Sequence, residues 1–485
     1  MPTPVLMSVM PSEGTKLAAT ADDQALVNLG YKQELRRGFS SFMSFAFCFT
    51  SVAVLSSISL AWPSTMAAGG PSVAIWGWII CAFFTMTSGL AMAELCSTFP
   101  SAGSVYHWAA MLAPPEYSAL ACYVTGVFNF FGNAAGDASF AWGFASVVAA
   151  AQNYRTIDAD GNPTGPEMSV QQQVGVAIAV CAAWTLVNVL RVDEQGWLNN
   201  LAAAFQIATT FAIIAAVISM PGRDPDVPLG WVWKQPYNGT GIPDANFGYV
   251  MLLGLLNALF AFSGYEAGAH MAEETSNSSV SAPWGVVLTC AAVASCGFVY
   301  IVGLLYATPS VLGMRYSSWA QAQLHGWVKV ANNSWLFPAT ATTAAVQFNL
   351  SNGIWDFVNT SSMTLENPSD DGYYTNYYNA HGTEFAAPWN AQASVSDYLQ
   401  AAMTAVAESS SVASVYFGAC GHRTGMALTC LLIINLFFAG ISSLTVTSRI
   451  AFAMARDGAF PYSESLRVVW PATKSPVRTV LLVCK

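Results

Sequence analysis

Apolar residues gather in blocks of about 20, the length at which a helix crosses a bilayer, with polar stretches between them. The blocks cover residues 39–62, 72–95, 118–151, 174–190, 201–220, 248–271, 285–307 and 426–455, and a ninth opens at 477. This predicts an all-α integral membrane protein with eight spans and the start of a ninth. Its expected parts are an amino-terminal tail (1–38), spans one to five (39–220), spans six and seven (248–307), a large loop (308–425) and a final segment (426–485).

The sixth block departs from plain hydrophobicity. Ser263, Gly264, Tyr265 and Glu266 fall near its middle depth, between the apolar run before Phe262 and a polar ending at Glu273, Glu274 and Thr275. In hydrocarbon, open backbone and an ionisable side chain are tolerated only where they face protein or a watery cavity. The break therefore predicts a buried polar site within a helical bundle. A softer patch, from Thr50 and Ser51 through Val52 and Ala53 to Ser56 and Ser57, lies in the first block. Two interrupted spans in corresponding positions point to a transporter built from inverted repeats, although small residues in the first span also suit plain helix packing.

Composition agrees with the pattern. The chain has 485 residues, 54% hydrophobic and 9% charged, against about 25% charged in a soluble domain. A net charge of -10 leaves no basic face for phosphates, which excludes nucleic acid as a partner. Of the ten cysteines, Cys48, Cys81, Cys122, Cys181, Cys290, Cys296 and Cys430 lie in apolar blocks without ligand spacing, so they read as small hydrophobes and no metal is expected. Paired catalytic groups at one depth are missing too, since His270 stands alone in the spans, and an enzyme is not expected.

Orientation follows the basic residues. With the amino terminus in the cytoplasm, the inner segments hold Lys16, Lys32, Arg36, Arg37, Arg191, Arg449, Arg456, Arg467, Lys474 and Arg478, and the outer loops only Arg155, Arg223 and Lys234. The first 38 residues carry no cleaved-signal pattern, so the first span serves as the insertion signal. The sequons at Asn238, Asn332, Asn349 and Asn359 fall outside in this topology and are glycosylation candidates; a further one, Asn277, falls inside. The loop from 308 is rich in aromatic residues, including Trp335, Trp355, Tyr373 and Trp389, and is expected to carry an insert at 309–394 of undetermined fold. Apolar residues at Val395, Leu399, Met403 and Val406 predict a surface helix after it.

Three strings carry a resemblance: GYEAGAHMAEETSNSSVSAP from Gly264, GLAMAELCSTFPSAGSVYHWAA from Gly89, and FFAGISSLTVTSRIAFAMARDGAFP from Phe437 with WPATKSPVRTV from Trp470. Together, and in order along nearly the whole chain apart from the long outer loop, they resemble the amino acid/choline transporter branch of the amino acid, polyamine and organocation permeases, which includes GABA-permease-like proteins. The resemblance implies a five-plus-five inverted-repeat (LeuT-like) bundle, a secondary transporter that moves amino acids or related amines by alternating access. It needs no cofactor.

The resemblance also implies roles for residues. Thr50, Ser51, Val52, Ala53 and Ser56 would offer backbone and hydroxyl groups to a substrate carboxylate, with Phe262, Ser263, Gly264, Tyr265 and Glu266 as the opposite wall. Tyr265 would cover the substrate, and Glu266 would meet an amino group or carry a proton, unless it is a structural ion pair or a helix cap. Ser442, Ser443 and Thr445 would contribute hydroxyls to a cation site, and Asp137, with Asn129 and Asn133 on one face of its helix, is a further coupling candidate. H+ and Na+ both remain open as coupling ions, since the fifth span lacks a lysine. The segment from Glu94 to Trp108 would form a re-entrant turn and short helix beneath the bundle, and Arg449, Arg456 and Asp457 an inner gate or topology anchor.

Relatives of this kind have about twelve spans, so the chain is expected to be truncated within the ninth. A second reading is therefore a non-transporting form that binds or regulates full-length permeases. The expected location is the plasma membrane, with the vacuolar membrane as the alternative.

Overall fold

The computed structural model describes residues 21–29, 31, 35, 38–156, 164–189, 192–219, 231–234, 236–317, 328–331, 334–337, 346–351, 354–359, 412–460, 462–470 and 476–483. A short amino-terminal helix α1 (Ala21–Asn28) precedes the bundle. The first span is two helices, α2 (Ser41–Val52) and α3 (Val54–Ala67), followed by a two-residue strand β1 (Ala68–Gly69). Next come α4 (Gly70–Thr98), α5 (Ser104–Leu112), α6 (Ser118–Asn153), α7 (Val170–Asn188) and α8 (Val192–Ser219). A short α9 (Trp231–Lys234) and strand β2 (Tyr237–Asn238) lead to the sixth span, α10 (Phe247–Phe262) and α11 (Ala267–His270). α12 (Ser278–Ser317) is the seventh span.

Four strands follow: β3 (Val328–Ala331), β4 (Ser334–Phe337), β5 (Val346–Ser351) and β6 (Ile354–Asn359). The chain then enters α13 (Ala413–Arg456), α14 (Ser463–Leu466) and α15 (Val477–Val483). Among the described residues, seven helical segments are long and apolar enough to cross a membrane, with α2 and α3 counted as one. The sixth span falls short because its helix stops after 16 residues at Phe262.

Local chemistry sets several ends. Ser40 caps α2 by accepting from the Met43 amide at 3.3 Å, and Ser169 and Gln172 form a reciprocal capping box on α7. Pro71 occupies the first turn of α4, where its missing N–H costs nothing. α13 bends at Gly421, whose φ of 72° breaks the helical run.

β1 pairs antiparallel with β2, tying the far end of the first span to the segment before the sixth. The remaining strands form an antiparallel sheet in the order β3-β4-β5-β6, all within residues 328–359 of the insert whose fold the sequence left undetermined. The flanking helices also run further into the 308–425 segment than the hydrophobic blocks suggested, to Ser317 on one side and from Ala413 on the other. The expected surface helix at 395–406 lies outside the described residues.

The core is centred on the first span. Trp62, Trp78 and Phe262 are buried together, with Trp78 and Phe262 stacked at 4.6 Å between ring centres. Broad apolar faces of α4, α6 and α10, including Phe83, Phe84, Phe128, Phe131, Leu252 and Leu256, are exposed, as lipid contact requires. The described cysteines are all free, and Cys48, Cys81, Cys96, Cys290 and Cys420 are buried.

Candidate functional site

The first span turns at Ala53, which adopts φ 47° and ψ 56°. A left-handed alanine costs about 1–2 kcal/mol, so its surroundings must hold it there. Breaking the helix frees the Val52 carbonyl, which accepts the Ser57 hydroxyl at 2.7 Å. On the preceding turn, the Gln206 side chain of α8 reaches the Thr50 carbonyl at 3.5 Å. Thr50 and Ser56 are fully buried, and neither hydroxyl has a hydrogen-bond partner among the described residues. Buried polar groups are normally satisfied, so this stretch holds unused donors and acceptors.

The sixth span opens over residues 263–266. Ser263 is exposed, and Gly264, Tyr265 and Glu266 are half-buried. Gly264 has φ +97°, a conformation that favours glycine. The backbone then closes tight turns, with the Ala267 amide on the Gly264 carbonyl at 3.0 Å and the Ala269 amide on the Glu266 carbonyl at 2.8 Å.

The two breaks face one another. A Cβ placed on Gly264 would lie 3.5 Å from the Ser51 hydroxyl and 3.6 Å from its carbonyl oxygen. Close approach continues along α2: the bare Cα positions of Gly268 and Gly285 accommodate Cys48 and Ser44, respectively. Amides of Gly264 and of Glu266 itself reach the Glu266 carboxylate. Phe262 packs on Trp78. Tyr265, expected over the gap, instead sets its ring beside Gly89 and its hydroxyl 3.3 Å from the Met92 sulfur on α4.

A second polar group joins α6, α7 and α13. Ser443 donates to Asp137 Oδ1 at 2.5 Å, while Asp137 is only 7% exposed and its Oδ2 has no hydrogen-bond partner among the described residues. Thr445 donates to Asn188 Oδ1 at 2.5 Å, and Asn188 in turn donates to the Ile441 carbonyl at 3.1 Å. Ser442 is buried on the same turn. Of the hydroxyls expected at a cation site, those of Ser443 and Thr445 are thus engaged by Asp137 and Asn188, and Asn188 is a residue that sequence reasoning missed. Asn133 bonds Asn129 at 2.7 Å, and Asn129 approaches His270 Nε2 at 3.4 Å.

The end of the bundle rich in arginine is closed by ion pairs. Arg449 meets Glu274 at 2.7 Å with neither side chain exposed. Arg456 contacts both oxygens of Glu273 at 3.1 and 3.0 Å, and Glu273 also accepts the Ala102 amide at 3.0 Å. Asp457 accepts the hydroxyls of Tyr106 at 2.8 Å and Tyr31 at 3.2 Å. Burial, reinforced by the Asp457 charge, raises both phenols well above the usual tyrosine range. The sequence exposed the arginines but not their partners. The available signal was two arginines seven apart on one helix face and two adjacent glutamates just past the sixth-span break.

The opposite end is held by hydroxyls. Ser59 and Tyr300 share a hydrogen bond of 2.7 Å, and Tyr300 and Tyr416 one of 2.5 Å, linking α3, α12 and the part of α13 before its bend. Of the sequon asparagines, Asn238 is half-buried and bonds Ile242 and Thr240 at 2.7 Å each. Asn349 pairs with Ser334 and Asp356 in the sheet register, and Asn359 with Val346. Asn332 lies outside the described residues.

A family model described as amino acid permease matches residues 39–396 and 398–484. The chain is 31% identical over 296 residues to an amino-acid permease of Arabidopsis thaliana, a match that covers 60% of this chain and 57% of that protein. It is 28% identical over 320 residues to a GABA-specific permease of Saccharomyces cerevisiae, covering 62% and 52%. An uncharacterized amino-acid permease of Schizosaccharomyces pombe is 27% identical over 470 residues, covering 96% and 66%. The chain thus spans a little over half the length of the plant and budding-yeast permeases that it matches.

Proposed function

The chain belongs to the amino acid permease family, and we propose that it moves an amino acid or a related amine, GABA among the candidates, across a membrane by alternating access. The observation that carries this reading is Gly264 lying against Ser51. Where two broken spans meet, the amides at the start of a half-helix present unused donors and the positive end of its dipole, which suits a carboxylate. Thr50, Ser51 and Ser56 supply the first wall. Ser263 to Glu266 supply the second, with Glu266 as the acid that would meet the amine.

Asp137 and Ser443 are the groups through which an ion gradient acts. An unpaired carboxylate in a buried site is costly unless it is protonated or shares a cation, so either H+ or Na+ meets the chemistry. With the amino terminus in the cytoplasm, the Arg449 and Arg456 pairs form the inner closure and the Ser59–Tyr300–Tyr416 contacts the outer one. The setting is a multi-pass membrane protein, with the plasma membrane favoured by the sequon-bearing loop.

Reconstituted into liposomes, the chain should take up labelled amino acids, with Glu266→Gln reducing uptake to background. Normal uptake by Glu266→Gln would remove that residue from the mechanism. Substrate binding without uptake would support a partner role alongside complete permeases instead.

A further inference from the structure

The amino-terminal segment lies across the arginine-rich end of the bundle and touches each element that closes it. Asp22 in α1 receives the Asn277 amide at 2.8 Å and the Ser278 amide at 3.2 Å, so a carboxylate nearly 260 positions away in the chain caps α12. Asn277 has φ 52°, a conformation in which its amide turns toward that carboxylate. Leu26 of α1 is buried.

Tyr31 lies 4.2 Å under the Arg456 guanidinium, donates to Asp457 and meets the His107 ring edge-on at 5.7 Å. The Gly38 and Phe39 amides both donate to the Glu274 carbonyl at 3.0 Å, and the Ser276 amide returns a bond to the Phe39 carbonyl at 2.9 Å. Glu274 and Glu273 are the acids that hold Arg449 and Arg456.

We propose that this segment is a latch: Asp22 and Tyr31 hold the arginine-rich face shut, and their release is a separate step that must precede its opening. The argument is geometric. The face cannot part between α13 and the turn before α12 without breaking the Arg456–Glu273 pair. Tyr31 braces that pair from one side, and Asp22 and Phe39 fix the turn from the other. A segment joined only to α2 would follow α2 passively, whereas this one bridges α5, α12 and α13. The latch rests on the alternating-access reading for its purpose, but its test needs no substrate.

The test is amide exchange read by mass spectrometry, on the full chain in lipid nanodiscs, comparing Asp22→Ala, Tyr31→Ala and Tyr31→Phe with the parent. Losing a cap or a cation–π contact of this kind is worth about fivefold in an opening equilibrium. The latch predicts roughly that acceleration not only at 38–39 and 276–278, which the segment touches, but also at 50–52 and 264–266, around the two breaks.

Tyr31→Phe, which keeps the ring under Arg456, should fall between the parent and Tyr31→Ala. Acceleration confined to 38–39 and 276–278, or none at all, overturns the proposal. Should Asp22→Ala fail to fold, the Tyr31 pair decides alone. An accelerated variant with no uptake in any form leaves the latch standing and counts against the transport reading.

Discussion

Arg449 and Glu274 meet at 2.7 Å with both side chains wholly buried, which ties the carboxyl-terminal end of α13 to the turn beyond the sixth-span break. Removing one member of such a pair leaves an uncompensated charge and costs about 3–5 kcal/mol. Arg449→Gln and Glu274→Gln should therefore each lower the melting temperature of the purified protein sharply. The double variant should lose much less than the sum of the two, and a purely additive result would show that the residues are not coupled.

Gly264→Ala is expected to abolish uptake while leaving the protein folded. The added methyl meets Ser51 only at ordinary contact distance, so the penalty comes from φ +97°, about 1–2 kcal/mol for a residue with a Cβ. Measured substrate affinity should fall along with uptake. Unchanged uptake would show that the geometry of this break is not used.

Asp137→Asn keeps the shape of the side chain and its contact with Ser443 but removes the charge. Exchange of substrate across the liposome membrane should continue, while uptake driven by an imposed proton or sodium gradient should disappear. If gradient-driven uptake survives in this variant, the coupling ion acts elsewhere.

His107, on the short α5, provides a pH signature. Burial is the main cause of its lowered pKa, partly opposed by Asp457. Because the folded value lies below the unfolded one, the neutral ring stabilises the fold above the unfolded value of about 6.5. That contribution is lost as pH falls through 6.5 toward the folded value. The loss of melting temperature between pH 7 and 5 should be smaller in His107→Gln, although that variant forfeits the Ser101 contact at 3.0 Å.

Tyr300 stands between Ser59 and Tyr416, so Tyr300→Phe removes the Tyr416 partner, leaves Ser59 with the Leu55 carbonyl at 2.7 Å, and should cost about 1–3 kcal/mol. Tyr416→Phe strands fewer groups and should cost less in the same thermal assay. Equal losses would argue that the three groups do not act as a chain.

Much of this arrangement could be read in advance because hydrocarbon permits so few structures. The apolar blocks marked where the long helices lie, although α12 and α13 run well beyond theirs, to Ser317 and from Ala413, and Ser263-Gly264 marked the sixth-span break because glycine and an ionisable neighbour have few reasons to sit at that depth. The turn at Ala53 was legible only as a soft region. Alanine is a strong helix former, and its left-handed conformation is held by the local Ser57 contact and by Gln206 and the facing span, the last two tertiary causes.

Long-range partners were beyond reach for the same reason. Asp22 looks like an ordinary acid at the start of a short helix until the fold brings Asn277 and Ser278 to it. Asn188 looks like a helix ending until Thr445 arrives. The sheet of the insert was obscured by its setting, since strands such as Val346–Ser351 are short and flanked by polar, aromatic-rich sequence with no clear period.

Ala53 carries one more implication. Its methyl group sits in a backbone well where only glycine is at ease, so the bend behaves as a wound spring, and any arrangement that straightens the first span would recover that tension. Ala53→Gly would slacken the spring at the cost of one buried methyl, favouring the bent form and slowing every passage through the straight one.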